Sequence, residues 1–263
     1  MKGDANWPER MYLGQGEVHL WSADLSEYDP VIPLSFLADD EILRHKRFYF
    51  EPDKRQFALS HTLLRSVLSL YTGLPAEQIV YCKTGNGKPA LTDSGDAGDI
   101  KFNLSHSGSR CLLGIVRDYE IGVDVEYRKS IRRFEALVRR CFDPEERECL
   151  TQLSEQAQQR RFYDYWTLKE AVIKACGRGL TMPLQKFGFR FDAQDNSKMS
   201  VTFDQSLEEA AASWLCLLSG DDEYSCAIAL MGQEPPLITE WHSYNCVPLS
   251  NYSVSALRPH AIG

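Results

Sequence analysis

Ile121-Gly122-Val123-Asp124-Val125-Glu126 is the stretch on which the reading of this chain turns. β-Branched residues alternate with glycine and acids, and that period of two predicts a strand. Successive side chains on a strand point to opposite faces, so Val123 and Val125 share one face while Asp124 and Glu126 are aimed together from the other. A lone D-x-E of this kind is ordinarily the solvated face of a sheet. It gains meaning only if another element brings further charge to the same place.

Such an element lies about forty residues on, in Trp166-Thr167-Leu168-Lys169-Glu170-Ala171-Val172-Ile173-Lys174. Apolar spacing predicts a helix over 161–176, stopped at Gly177-Arg178-Gly179. Glu170 and Lys174 are i,i+4 neighbours, which by itself describes a surface salt bridge. Yet Phe162, Tyr163, Tyr165, Trp166, Val172 and Ile173 give this helix more apolar surface than an exposed element carries, which puts its charges at the rim of a buried region. Three carboxylates from a strand and a helix suit Mg²⁺, a hard cation that keeps some waters and shares phosphate oxygens. An adjoining lysine would stabilise phosphate charge, so the combination points to phosphoryl chemistry.

Working outward, 18–21 reads as an opening strand and 39–50 as a helix preceded by a capping Asp. Apolar residues at 57, 59, 63, 64, 67, 68 and 70 predict a helix over 54–71, ended by Gly73-Leu74-Pro75. Residues 85–89 form a turn and 93–99 a polar loop. Strands are expected at 100–104, 111–116 and 121–126, with a loop at Ser105-His106-Ser107-Gly108 after the first. A helix near 130–140 and a surface helix or loop over 152–159 follow. Further strands are expected at 187–191, 199–203, 214–219 and 225–230. Residues 233–263, with Pro235, Pro236, Pro248 and Pro259, read as an extended tail.

A faint repeat runs through this layout: Phe50-Glu51-Pro52-Asp53-Lys54-Arg55 resembles Phe142-Asp143-Pro144-Glu145-Glu146-Arg147, and Thr62-Leu63-x-x-x-Val67-Leu68 resembles Thr167-Leu168-x-x-x-Val172-Ile173. It predicts an α+β fold of two similar α/β-type halves in a pseudo-two-fold arrangement, with a cleft between halves as a natural ligand site. The boundaries are 1–118, 119–232 and the tail.

Of the 263 residues, 43% are hydrophobic and 25% charged, which sets aside disordered and fibrous classes. Eight cysteines without a Cys-x-x-Cys pair read as reduced thiols of a cytoplasmic protein and argue against a structural zinc site. The residues after Met1 hold no apolar stretch, and the longest apolar run is too short for a membrane span. The net charge of -8 argues against a general nucleic-acid binder. It conceals two basic islands, one at Arg44, Lys46, Arg47, Lys54 and Arg55, the other at Arg128, Lys129, Arg132, Arg133, Arg139 and Arg140.

Four elements in order resemble the 4′-phosphopantetheinyl transferases of the surfactin-synthetase-activating (Sfp) type. Gly87-Lys88-Pro89 matches the family's G-K-P turn, and Phe102-Asn103-Leu104-Ser105-His106-Ser107-Gly108 its F-N-x-S-H-S-x element. Gly122 to Glu126 matches G-[IV]-D-x-E, and Trp166 to Lys174 matches W-[ST]-x-K-E-x-x-x-K. The resemblance implies the 4′-phosphopantetheinyl transferase fold and a monomer that binds coenzyme A between its halves. It also implies Mg²⁺-dependent transfer of the phosphopantetheine arm to a serine of an apo acyl or peptidyl carrier protein. Asp124, Glu126 and Glu170 would hold the metal, and Asp124, Glu170 and Lys174 would carry catalysis, with Glu170 as candidate base. Coenzyme A would be held by Arg47, Arg55, Lys88, Ser105, His106, Lys169 and Lys174. Glu41 departs from the pattern, since a relative has a lysine at about that place; Arg44, one turn on, would substitute.

A Mg²⁺-dependent hydrolase of a diphosphate would use the same three carboxylates, and a non-catalytic binder would be expected to have lost them. Carrier proteins present an acidic helix beside their serine, so the island at Arg128, Lys129, Arg132 and Arg133 is a candidate docking surface.

Overall fold

The computed structural model describes residues 9–14, 16–27, 34–85, 87–95, 98–192, 199–210, 213–218, 222–232, 240–247 and 251–255. The chain divides into two units, one of Met1–Thr84, Pro89–Asp118 and Ile238–Leu257, the other of Gly85–Lys88, Tyr119–Leu237 and Arg258–Gly263.

The first unit opens with β1 (Glu17–Asp24), α1 (Asp39–Arg47) and α2 (Glu51–Thr72). The hairpin strands β2 (Tyr81–Lys83) and β3 (Pro89–Leu91) follow, then β4 (Ile100–Ser107) and β5 (Arg110–Arg117). Helix α2 has Pro52 in its first turn, where a missing amide costs nothing, and ends on Gly73 in the left-handed region, φ 70°. Leu63, Val67 and Leu68 on its inner face pack with Trp21, Ile100, Phe102, Leu113 and Ile115 from the sheet.

The second unit carries β6 (Glu120–Tyr127), α3 (Phe134–Cys141), α4 (Pro144–Thr151) and α5 (Glu155–Cys176). These lead to the hairpin β7 (Phe187–Phe191) and β8 (Met199–Phe203), then β9 (Ser213–Leu218) and β10 (Tyr224–Met231). Leu168, Val172 and Ile173 of α5 pack in a core with Phe142, Phe162, Phe187, Phe189, Ala227 and Ala229.

The residues expected as an extended tail instead supply β11 (Glu240–Val247) and β12 (Asn251–Ser255). β11 pairs in parallel with β1, placing Glu17 beside Glu240 and Ser22 beside Asn245, and extends the first sheet to the order β12-β11-β1-β5-β4. The prolines misled the reading because they lie at 235, 236, 248 and 259, outside both strands.

The two units repeat one plan. In each, a strand is followed by a short helix, a 22-residue helix closed by a left-handed glycine (Gly73, Gly177), a two-stranded hairpin and two sheet strands. In each, the opening strand pairs antiparallel with the last of these strands, which pairs with the one before it.

The repeat extends to buried charge. Glu41 accepts from the amide of Ala38, the N-cap of α1, and takes the Arg65 guanidinium, which also donates to the carbonyls of Ala76 and Ile79. Glu146 accepts from the amide of Asp143, the N-cap of α4, and pairs with Lys169, which also donates to the carbonyls of Leu184 and Phe187. These clips make α1 the counterpart of α4 and leave α3 as the insertion. The sequence match of Phe50-Glu51-Pro52 with Phe142-Asp143-Pro144 is therefore one helix out of step. They also explain Glu41, which is 5% exposed and serves as a buried counter-charge. It caps α1 itself, where a preceding Asp was expected.

Ile121 to Val125 are all buried, and Gly122 shares the face of Asp124 and Glu126. A Cβ on Gly122 would overlap the carbonyl oxygen of Ala171 and the amide nitrogen of Ala175. The acidic face of β6 is thus turned onto α5, and glycine with two alanines lets the backbones approach. Gly122→Ala is expected to destabilise the protein by about 1–3 kcal/mol, the usual cost of overpacking, read as a lowered midpoint in urea unfolding.

Candidate active site

Along β6, from Gly122 against Ala171 and Ala175, the contacts climb α5 in reverse. Lys174 reaches Asp124, its ammonium 2.6 Å from Oδ1 and 3.1 Å from the carbonyl of Val123. Glu170 lies within electrostatic reach of Glu126. Arg128 pairs with Asp164 at 3.0 Å, and the amide of Lys129 meets the Tyr163 hydroxyl at 3.3 Å. Strand and helix therefore run antiparallel, and the three carboxylates and the lysine expected to act together lie along one seam.

Burial sets their electrostatics. Asp124 is 3% exposed, so the solvated-face alternative does not hold, and its charge is balanced by Lys174. Burial pushes the Glu170 carboxyl above the usual carboxylate range, Lys174 pulls it down, and the charge of Glu126 pushes it up again. A half-buried carboxyl beside a second one is a proton acceptor of raised basicity and a place that favours a cation.

No three His, Cys, Asp or Glu side chains among the described residues are spaced to share one metal ion. The donor set fits magnesium nonetheless. It is all oxygen, it holds two mutually repelling carboxylates, and Mg²⁺ is commonly bound by one or two protein carboxylates completed by water and substrate phosphate.

Both segments of the chain match models of one family. Residues 120–229 match the 4′-phosphopantetheinyl transferase superfamily, and residues 19–115 match "4′-phosphopantetheinyl transferase, N-terminal". The 4′-phosphopantetheinyl transferase HetI of Nostoc sp. is 32% identical over 228 residues, covering 86% of this chain and 92% of HetI. The chain belongs to the 4′-phosphopantetheinyl transferase superfamily. It is also similar to psf-1 of Bacillus pumilus, 34% identical over 63% of this chain and 69% of that protein. Sfp of Bacillus subtilis is 33% identical over 60% of this chain and 67% of that protein.

Not every expected transferase residue stands at this seam. Lys169, expected to hold coenzyme A, is fully buried. Its ammonium lies 2.9 Å from Glu146 Oε2 and 2.8 Å from the carbonyl of Leu184, with Phe187 O as third acceptor. An ammonium has three donors, and all three are used inside the core, so Lys169 cannot meet a phosphate. Lys88 donates to Glu120 at 2.6 Å and to the carbonyl of Ala175 at 3.5 Å, which ties the G-K-P turn to the last turn of α5.

In the first unit, Arg47 is exposed at the end of α1 and Arg55 half-buried in α2. Arg44 lies over the Phe57 ring at 5.1 Å. Ser105 and His106 belong to β4, where a loop was expected. Adjacent strand residues face opposite ways, and Ser105 is buried while His106 is exposed. The turn begins only at Gly108, φ 57°. Arg128, expected at the docking surface, is spent on Asp164 and the carbonyl of Asp222, whereas Lys129, Arg132 and Arg133 are exposed.

Sequence reasoning missed Gly122 as a spacer and Glu146 as the partner of Lys169. The D-P-x-E capping pattern at 143–146 was the available signal for the latter. Because the folded protein holds the Glu170 proton more tightly than the unfolded chain does, this carboxyl favours folding below the ordinary carboxylate range. That contribution is lost as pH rises through the raised pKa. Glu170→Gln is therefore expected to raise Tm at pH 7 and leave it nearly unchanged at pH 4 in thermal melts, while transferase activity is lost.

Proposed function

We propose that this protein transfers the 4′-phosphopantetheine arm of coenzyme A to a serine of an apo acyl or peptidyl carrier protein, with release of 3′,5′-ADP. The observation that carries the reading is the seam of Asp124, Glu126, Glu170 and Lys174 between β6 and α5 in a chain of this superfamily. One or two of Asp124, Glu126 and Glu170 would hold Mg²⁺, completed by water and substrate phosphate, and the ion when bound would supply charge stabilisation to the diphosphate.

The chemistry of the chain's own groups follows from their surroundings. A serine hydroxyl is a poor nucleophile at neutral pH, and Glu170, the half-buried carboxyl of the seam, is the group to accept that proton directly or through a water. The serine oxygen forms a bond to the β-phosphorus as the bond to the 3′,5′-ADP oxygen breaks, and the leaving group departs with that electron pair. Lys174 serves two anions in turn. Its ammonium neutralises Asp124 before substrate arrives and faces the phosphate under attack afterwards, when charge accumulates there.

Arg47, Arg55, Ser105 and His106 make up the grip on the nucleotide in this reading, supported by the exposure of Arg47 and His106. Lys88, with two donors on Glu120 and the Ala175 carbonyl, would join them through its third. Lys129, Arg132 and Arg133 are left as the cationic surface for the carrier. The protein acts as a monomer in the cytoplasm. The free cysteine Cys141, buried in the second unit, supports that compartment. No helix among the described residues is long and apolar enough to cross a membrane.

Incubating apo carrier proteins with this protein, coenzyme A and Mg²⁺ is expected to add the mass of the phosphopantetheine arm, read by mass spectrometry. Asp124→Ala should cut the rate at least ~100-fold with the fold retained. No transfer to any of several carriers, or release of 3′,5′-ADP from coenzyme A alone, would overturn the reading in favour of another phosphoryl enzyme. The combined reversal Arg132→Glu and Arg133→Glu is expected to raise KM for the carrier roughly tenfold and leave KM for coenzyme A unchanged, the signature of lost electrostatic steering.

A further inference from the structure

Glu146 and Lys169 are fully buried, each with side-chain exposure of 0%, and neither takes part in the chemistry above. Burial pushes Glu146 up and Lys169 down, against their mutual attraction, so removing both from water carries a cost. Replacing such pairs with apolar residues of similar volume is often neutral or stabilising, so stability alone does not account for this one.

What the pair does possess is direction. Glu146 Oε1 accepts from the amide of Phe189 at 2.9 Å and Oε2 from that of Asp143 at 3.0 Å. Lys169 spends its three donors on Glu146, Leu184 and Phe187. Side-chain bonds thus tie α5 at residue 169 to the start of α4 and to β7, and oppose both rotation about the helix axis and sliding along it. Apolar packing at Phe142 and Phe187 has no such angular preference. Glu170 is the next residue, about 100° further round the same helix, and among the described residues Lys174 and Glu126 act on it by charge without an ion pair to aim it. Catalytic geometry is sensitive at this scale, a misplacement of 1 Å costing on the order of 100-fold.

We infer that Lys169 and Glu146 are positioning residues that set the rotation of α5 and so aim Glu170 at the reacting serine, without touching substrate themselves. This rests on the transferase reading proposed above. The assignment gives the lysine of the W-T-L-K-E segment a role in orientation.

The test is the paired replacement Lys169→Met with Glu146→Leu in the full chain. It should match or exceed the wild-type Tm while kcat for phosphopantetheine transfer falls 10- to 100-fold and KM for coenzyme A stays within about twofold. A second variant, Glu146→Gln, with its one acceptor oxygen turned to Lys169 and the Asp143 amide, keeps the tie between α5 and α4, gives up only the bond to the Phe189 amide, and should retain most of kcat even if its Tm falls. Wild-type kcat in the paired variant would show the clip to be structural only and overturn the inference. So would a loss of kcat in both variants that follows Tm. If the wild-type protein itself transfers nothing, it is the transferase reading that fails, a result distinct from an active wild type with an unaffected paired variant.

Discussion

A methyl group at position 122 would collide with the backbone of α5 at Ala171 and Ala175, and the candidate active site depends on that space staying empty. With glycine there, β6 and α5 lie close enough for side chains of ordinary length to meet across the seam. Lys174 then reaches Asp124, and Glu170 feels the charge of Glu126. Were the helix held further off, the same residues would be separate solvated charges.

Close approach alone leaves α5 free to turn about its axis. In each unit a buried glutamate at the start of a short helix grips a basic residue of the long helix, and that residue in turn holds two carbonyls of the chain beyond. The repetition marks the clip as a device of the fold. Its consequence differs between units because of what lies beside it. In the first unit, Tyr71 of α2 spans to β1 by accepting from the Trp21 indole at 3.0 Å and bonding His19. In the second, the corresponding span is the Lys174–Asp124 ion pair. A buried network of rings and a hydroxyl serves packing, whereas an ion pair beside two further carboxylates gathers the charge that phosphoryl chemistry requires.

The Lys174–Asp124 pair also accounts for how three acids can gather without repelling the helix from the strand. One negative charge is neutralised internally, and the raised proton affinity of Glu170 relieves part of what remains. Such a site is costly to fold and ready to receive cationic charge, the usual relation between function and local stability.

Much of this was legible from the residues alone. Period-two alternation at 121–126 and helical spacing at 161–176 located both walls of the seam, because those periodicities follow from backbone geometry whatever surrounds them. The motif pairs that resemble the transferase family named Asp124, Glu126, Glu170 and Lys174. Sequence could not separate Lys169 from its neighbour, since adjacent helix positions differ only in the direction they face, and that direction is set by what packs there. It took the tertiary structure to bury Lys169 against Glu146, to spend Arg128 on Asp164, to turn Ser105 and His106 to opposite faces, and to draw 240–255 into the first sheet. Each of these outcomes depends on a partner distant in the chain, and no local pattern carries the identity of such a partner.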